Sequence, residues 1–172
     1  MKLTDDDFTL FGLPQRFAMD GAQLDERWRA LQGQVHPDRH ASQGPAAQRV
    51  AMQWSVRINE AYRRLKDPLA RGAYLAGLRG AQLDLHANTA MPADFLVQQL
   101  QWREALDEAA DVAAVEALGR DVEQHRRELF AELESALDDR GDARDAASRV
   151  RALMFVARFR EDIDRRLEAL GA

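Results

Sequence analysis

The chain has 172 residues, 46% hydrophobic and 31% charged, which predicts a packed, soluble, helix-rich protein of one large or two small domains. It has no cysteine, and that excludes disulfides, thiolate catalysis and Cys-ligated zinc or iron–sulfur centres. The net charge of −5 is divided unevenly, with 12 Lys/Arg against 9 Asp/Glu in residues 1–80 and 12 against 20 in residues 81–172. Most of these charges are expected on solvated helix faces. The acidic second half argues against nucleic acid as a partner, because phosphate binding needs dense Lys and Arg. No apolar run reaches the roughly 20 residues of a membrane span, so no membrane partner is expected. The acidic start Met1 to Asp7 has the plan of neither a secretory signal nor a transit peptide, and a cytoplasmic location is the expectation.

In chain order, Asp5 to Leu10 predicts a short first helix, stopped near Gly12-Leu13-Pro14. A second helix is predicted from Gly21 to Val35, with Asp20 as its N-cap. Its apolar residues Leu24, Trp28, Leu31 and Val35 fall at spacings of 4, 3 and 4, one stripe of an amphipathic helix. Pro37 disfavours α conformation at His36, so the helix should end there. Asp38 to Gly44 reads as a loop, and Pro45 can open the next helix as its first residue. Val50, Trp54, Ile58, Ala61 and Leu65 then give a second stripe, expected to bury the first as an antiparallel hairpin. Asp67-Pro68 breaks that helix and starts a shorter one through Leu78.

Residues 80–91 are mixed and turn-rich and read as a linker between domains at 1–79 and 92–172. Beyond it, Phe95, Trp102, Leu106 and Ala109 mark one stripe. Val112, Val115, Leu118, Val122, Leu129, Leu133 and Ala136 mark another, and Gly141-Asp142 is a turn. Val150, Leu153, Val156, Ile163, Leu167 and Leu170 make the last. Three helices with short connections predict an antiparallel three-helix bundle, in an all-α chain without a strand pattern.

The tripeptide His36-Pro37-Asp38 is the most informative motif. A His beside an Asp can be an acid/base pair, but no Ser or Cys nucleophile, second carboxylate or Gly-rich phosphate loop accompanies it. The four histidines show no compact metal-ligand spacing. A purely structural role, with Pro37 ending a helix and Asp38 bonding its own loop, does not require His. Docking uses all three residues. Pro37 restricts the loop, Asp38 offers a carboxylate suited to a bidentate Arg contact, and His36 supplies a directional hydrogen bond.

This hairpin, with Ile58-Asn59-Glu60-Ala61-Tyr62-Arg63-Arg64-Leu65-Lys66-Asp67-Pro68 after the tripeptide, resembles the J-domain of DnaJ-type cochaperones. The resemblance extends through Phe8-Thr9-Leu10-Phe11-Gly12-Leu13-Pro14, Ala73-Tyr74-Leu75, Phe95-Leu96 and Arg103 to Glu108, and over this length it is to the HscB family. It implies an N-terminal J-domain joined to a C-terminal three-helix bundle, with no enzymatic activity and no cofactor of its own. The implied partners are the DnaK-class chaperone HscA, whose ATPase the J-domain stimulates, and the iron–sulfur scaffold IscU, which the bundle carries. A bacterial source is implied by the absence of the Cys-rich zinc module of eukaryotic members.

By position, the resemblance assigns chaperone contact to His36, Pro37 and Asp38, with Arg27, Arg29 and Arg39 as candidate steering charges. It assigns scaffold contact to Leu96, Leu100, Gln101, Glu104, Glu108 and Phe155. Leu96, Leu100, Glu104 and Glu108 are each four apart, one ridge that turns from apolar to acidic and makes a poor buried stripe. Phe155 lies two residues from Leu153 and so points about 160° away from it. Spacing alone leaves these apolar residues open between core and patch, and the resemblance favours the patch. The chain departs from the family pattern at Gln101, where an acid is usual, and at Val35, where an aromatic is usual. Its second helix is also thinly basic. A J-protein for another client is the alternative function.

Overall fold

The computed structural model describes residues 2–36, 38, 44–81 and 91–171, and among these all regular structure is helical. Residues 1–75 and 76–172 form two compact units, each with its own core.

In the first unit, α1 (Asp7–Phe11) is capped by Asp6, whose carboxylate accepts from the Thr9 N–H at 3.0 Å. That cap starts the helix two residues later than the sequence predicts. Gly12 ends α1 at φ 63, a left-handed conformation that glycine adopts without strain. A Cβ at Gly12 would also come within 3.1 Å of the Arg27 guanidinium. Helix α2 (Gly21–Val35) begins at Asp20, which accepts from the N–H groups of Ala22 and Gln23. Helix α3 (Pro45–Lys66) opens on its proline, and α4 (Pro68–Leu78) begins after Asp67, whose carboxylate accepts from the Ala70 N–H.

Helices α2 and α3 form the expected antiparallel hairpin, with Leu24, Val35, Ala51, Ile58, Ala61 and Leu65 buried between them and the flanking segments. Val50 corrects the predicted stripe: it is 52% exposed, and Ala51 takes the inward position. Two successive four-residue steps carry Val50 about 80° around the helix from Ile58, whereas Ala51, seven residues back, is only about 20° off. Phe8, Phe11 and Phe17 close the core from the N-terminal side. Asp7 is fully buried there. Arg64 hydrogen-bonds its Oδ2 at 3.0 Å. Arg57 lies 2.8 Å from Oδ1 but off the hydrogen-bonding direction, so it acts as a charge contact. The Asp7 backbone N–H donates to the Tyr74 hydroxyl.

The second unit contains α5 (Ala93–Glu108), α6 (Val112–Glu134), a π-helical turn (Ser135–Asp139) and α7 (Ala143–Ala169). Asp111 and Asp142 cap α6 and α7, accepting from the N–H groups of Ala114 and Asp145. Gly141 turns the chain at φ 65. Cross-helix pairs Glu132–Arg149 and Glu123–Arg160 show that α6 and α7 run antiparallel. Val115, Leu118, Val122, Leu129, Leu133 and Ala136 face Val150, Leu153, Val156 and Ile163 in one core. Leu167 and Leu170, expected in that stripe, are half-buried near the end of the helix. Phe159 is buried although the sequence reading passed over it. Of the expected linker at 80–91, only Gly80, Ala81 and Met91 lie within the described residues.

Candidate functional site

The first candidate site is the end of the α2/α3 hairpin. His36 caps α2 and has left helical geometry, with φ −59 and ψ 126. Its side chain is 56% exposed and that of Asp38 is 91% exposed, so neither fills the core. The Asp38 backbone N–H donates to His36 Nδ1 at 3.3 Å, and the Asp38 carboxylate lies 3.6 Å from the same nitrogen. Pro37 and Arg39 lie outside the described residues.

Arg27 and Arg29, the α2 arginines expected to steer, have local contacts. Arg27 reaches the Phe11 carbonyl at 3.5 Å, a long bond. Arg29 is exposed near Asp25. A hydrogen bond from Lys66 at 2.6 Å, then one from Tyr62 at 2.9 Å, hold the Asp25 carboxyl below the ordinary carboxylate range. The same contact to Asp25 raises Lys66.

The second candidate site is on α5. Leu96 and Leu100 are 42% and 60% exposed, and Gln101, Glu104 and Glu108 are exposed beside them. The ridge predicted from spacing is therefore a surface. Val97 is 57% exposed in the same turn and widens it; sequence reasoning missed this residue. Apolar residues occur all around α5, so spacing did not distinguish an outward Val from an inward one.

Phe155, expected in the exposed patch and outside the core, is half-buried. Its ring meets Phe95 edge-on at 5.7 Å and stacks with Phe159 at 5.8 Å. The Arg103 guanidinium covers it at 5.5 Å. Arg103 is three residues from Leu100, so Phe155 borders the same flank of α5. Beneath the ridge, Phe95 and Trp102 are buried, and the Trp102 indole donates to Asp121 at 2.7 Å. A rigid aromatic floor thus carries the exposed leucines. No cluster of three His, Asp or Glu positioned to hold a metal occurs among the described residues. No described helix is long and apolar enough to cross a membrane.

Comparison with known proteins covers both units. Residues 91–164 match the family described as the HSCB C-terminal oligomerisation domain. The co-chaperone protein HscB homologue of Bordetella petrii is 51% identical over 92% of this chain and 94% of its own length. That of Azoarcus sp. is 46% identical over 98% of this chain and 97% of its own. Among solved structures, the chaperone HscB from Vibrio cholerae superposes with a TM-score of 0.80 at 34% identity, covering 96% of this chain and 99% of its own. The human co-chaperone protein HscB gives 0.88 at 27%, covering 100% of this chain and 86% of its own. Identity at this level over nearly the whole length, on the same helical fold, means that the chain belongs to the HscB co-chaperone family, a non-enzymatic class that works with an Hsp70-type chaperone.

Proposed function

We propose that this protein stimulates the ATPase of the specialised DnaK-class chaperone HscA and delivers the iron–sulfur scaffold IscU to it in the bacterial cytoplasm. The observation that carries the reading is the pair His36 and Asp38, side by side at the hairpin end with 56% and 91% of their side chains exposed. An exposed His–Asp pair with no Ser nucleophile against it among the described residues suits docking. The reaction then takes place in the partner, and no cofactor is required here. His36, Pro37 and Asp38 engage the ATPase, with Arg27, Arg29 and Arg39 contributing charge. On α5, Leu96 and Leu100 act as apolar anchors beside Phe155, and Gln101, Glu104 and Glu108 form a polar rim that sets register. Such a division, buried anchors for affinity and a rim for orientation, is the usual anatomy of a specific protein interface.

The test is ATP turnover by the chaperone with this protein, with scaffold, and with both, alongside calorimetric titration of scaffold. The expected result is modest stimulation by the protein alone, greater stimulation with both, and direct scaffold binding. Stimulation without scaffold binding would assign the chain to another client. No stimulation at all would overturn the reading.

A further inference from the structure

One flank of the α2/α3 hairpin carries an unbroken ladder of polar contacts. At the far end, Asp25 accepts from Tyr62 and Lys66. In the middle, the Trp28 indole N–H donates to Asn59 Oδ1 at 3.0 Å, and the Trp28 ring stacks on Tyr62 at 4.7 Å. Nearest the tip, Gln32 Nε2 donates to the same Asn59 oxygen at 2.6 Å, and Ser55 donates to Gln32 Oε1 at 3.4 Å. An indole N–H can only donate, so it fixes which face of the Asn59 amide points at α2. Gln32 must then present its NH2 to that oxygen and its carbonyl to Ser55. Each amide has one workable orientation, and each orientation depends on one pairing of the two helices.

The apolar contacts beside this ladder do not have that property. Near the tip the buried apolar residues are Val35 on α2 and Ala51 on α3, the latter a small residue, with half-buried Trp54 lining the same cavity. A hydrophobic seam of this kind tolerates sliding, whereas a partly buried polar pair is satisfied in one register only. Gln32 is four residues, one helical turn, before His36. We infer that Asn59 is a positioning residue: by accepting from both Trp28 and Gln32 it fixes the register of α2 against α3, and so the place of His36 and Asp38 relative to the face that meets the chaperone. The inference rests on the proposed ATPase-stimulating role of that tip.

The test uses the full chain with Asn59→Leu, which keeps the volume and loses the acceptor, and Asn59→Asp, which keeps an acceptor for both donors. If register is loosened, only a fraction of molecules present a competent tip, and the concentration for half-maximal ATPase stimulation rises by the inverse of that fraction. For Asn59→Leu, a competent fraction of about one tenth gives an expected rise of about tenfold with the maximum retained at saturation. Asn59→Asp should stay within about twofold of wild type, because either carboxylate oxygen can accept. Spin labels at the exposed positions Gln34 and Gln48 read the register without the chaperone. One narrow distance is expected in wild type and Asn59→Asp, and a shifted or broadened one in Asn59→Leu.

A folded Asn59→Leu with wild-type half-maximal concentration and label distance overturns the assignment, as does a folded Asn59→Asp as weak as Asn59→Leu. If Asn59→Leu does not fold, Gln32→Met, which cuts the rung nearest His36, carries the same expectation and the same refutation. A wild-type chain that gives no stimulation sinks the functional reading instead, and the label distances still decide the register.

Discussion

The two candidate sites are supported by different contacts, and this decides how separable each is from its core. In residues 1–75 the hairpin is tied by polar and charged side chains: Asp7 with Arg57 and Arg64, Asp25 with Lys66 and Tyr62, Asn59 with Trp28 and Gln32. The tip residues His36 and Asp38 lie beyond that network, and among the described residues they contact each other. In residues 76–172 the candidate site rests on rings: Phe95, Trp102, Phe155 and Phe159 touch one another within 6.0 Å. Phe155 belongs both to that cluster and to the surface, so under the proposed function recognition and stability share a side chain.

The largest effect should come from breaking the polar network at its most buried point. Asp7→Ala leaves Arg57 and Arg64 without the carboxylate they share. It should destabilise the first unit by about 3 kcal/mol, the low end for a broken buried ion pair, since both arginines retain some access to water. Urea unfolding followed at Trp28 should show the loss, and the second unit should keep its midpoint. A single shared shift in both units would break the contrast.

Next in size is the aromatic cluster. Phe155→Ala should cost about 2 kcal/mol of stability in the second unit, less than the 3–5 kcal/mol of a fully buried Phe. Leu96→Ala plus Leu100→Ala should change stability by under about 0.5 kcal/mol, as exposed substitutions usually do. The same pair should weaken scaffold binding by roughly 2 kcal/mol or more if both are anchors. Thermal melts and scaffold titrations on the two variants separate these roles. A leucine pair that melts like Phe155→Ala would make the ridge part of the core.

The polar organisation of the first unit also predicts its response to pH. Asp25 is held below 3.8, first by Lys66 and then by Tyr62. Its contribution is present above pH 3.8 and disappears as pH falls through the lowered value. Lys66 is raised above 10.5, chiefly by its bond to Asp25, and Tyr74 above 10.0, chiefly by burial. Both contributions are complete below those values and are lost as pH rises through the folded ones. The urea midpoint of the first unit should therefore fall at both extremes. Tyr74→Phe should flatten part of the alkaline fall, and an unchanged alkaline slope in that variant would remove Tyr74 from the account.

The smallest effect concerns Arg29. Arg29→Glu should slow association with the chaperone a few-fold at low salt and much less near 0.15 M, where exposed charges are screened beyond about 8 Å. Stopped-flow association across a salt series checks this, and a salt-independent rate counts against steering.

The helices themselves were legible because local signals bound them. Asp20 and Pro37 bracket α2, and Pro45 and Asp67-Pro68 bracket α3, and these are read from residues within a turn of each end. What escaped depends on partners far along the chain. Asp7 looks like a solvated acid until Arg57 and Arg64, 50 and 57 residues away, are brought to it. Asn59 looks like a helix-surface amide until α2 places Trp28 and Gln32 against it. The site residues were named by resemblance and the ridge by spacing. The half-burial of Phe155 and the cover from Arg103 required the packing of α5 on α7.

Under the proposed function recognition is split, with the hairpin tip acting on the ATPase and the α5 ridge on the scaffold. The most direct measurement is chaperone ATP turnover with Asp38→Asn and with Leu96→Ala plus Leu100→Ala, each with and without scaffold. The account predicts that Asp38→Asn abolishes stimulation in both conditions while scaffold binding persists, and that the leucine pair retains basal stimulation but loses the increment scaffold brings. Near-wild-type stimulation by a folded Asp38→Asn chain would contradict it.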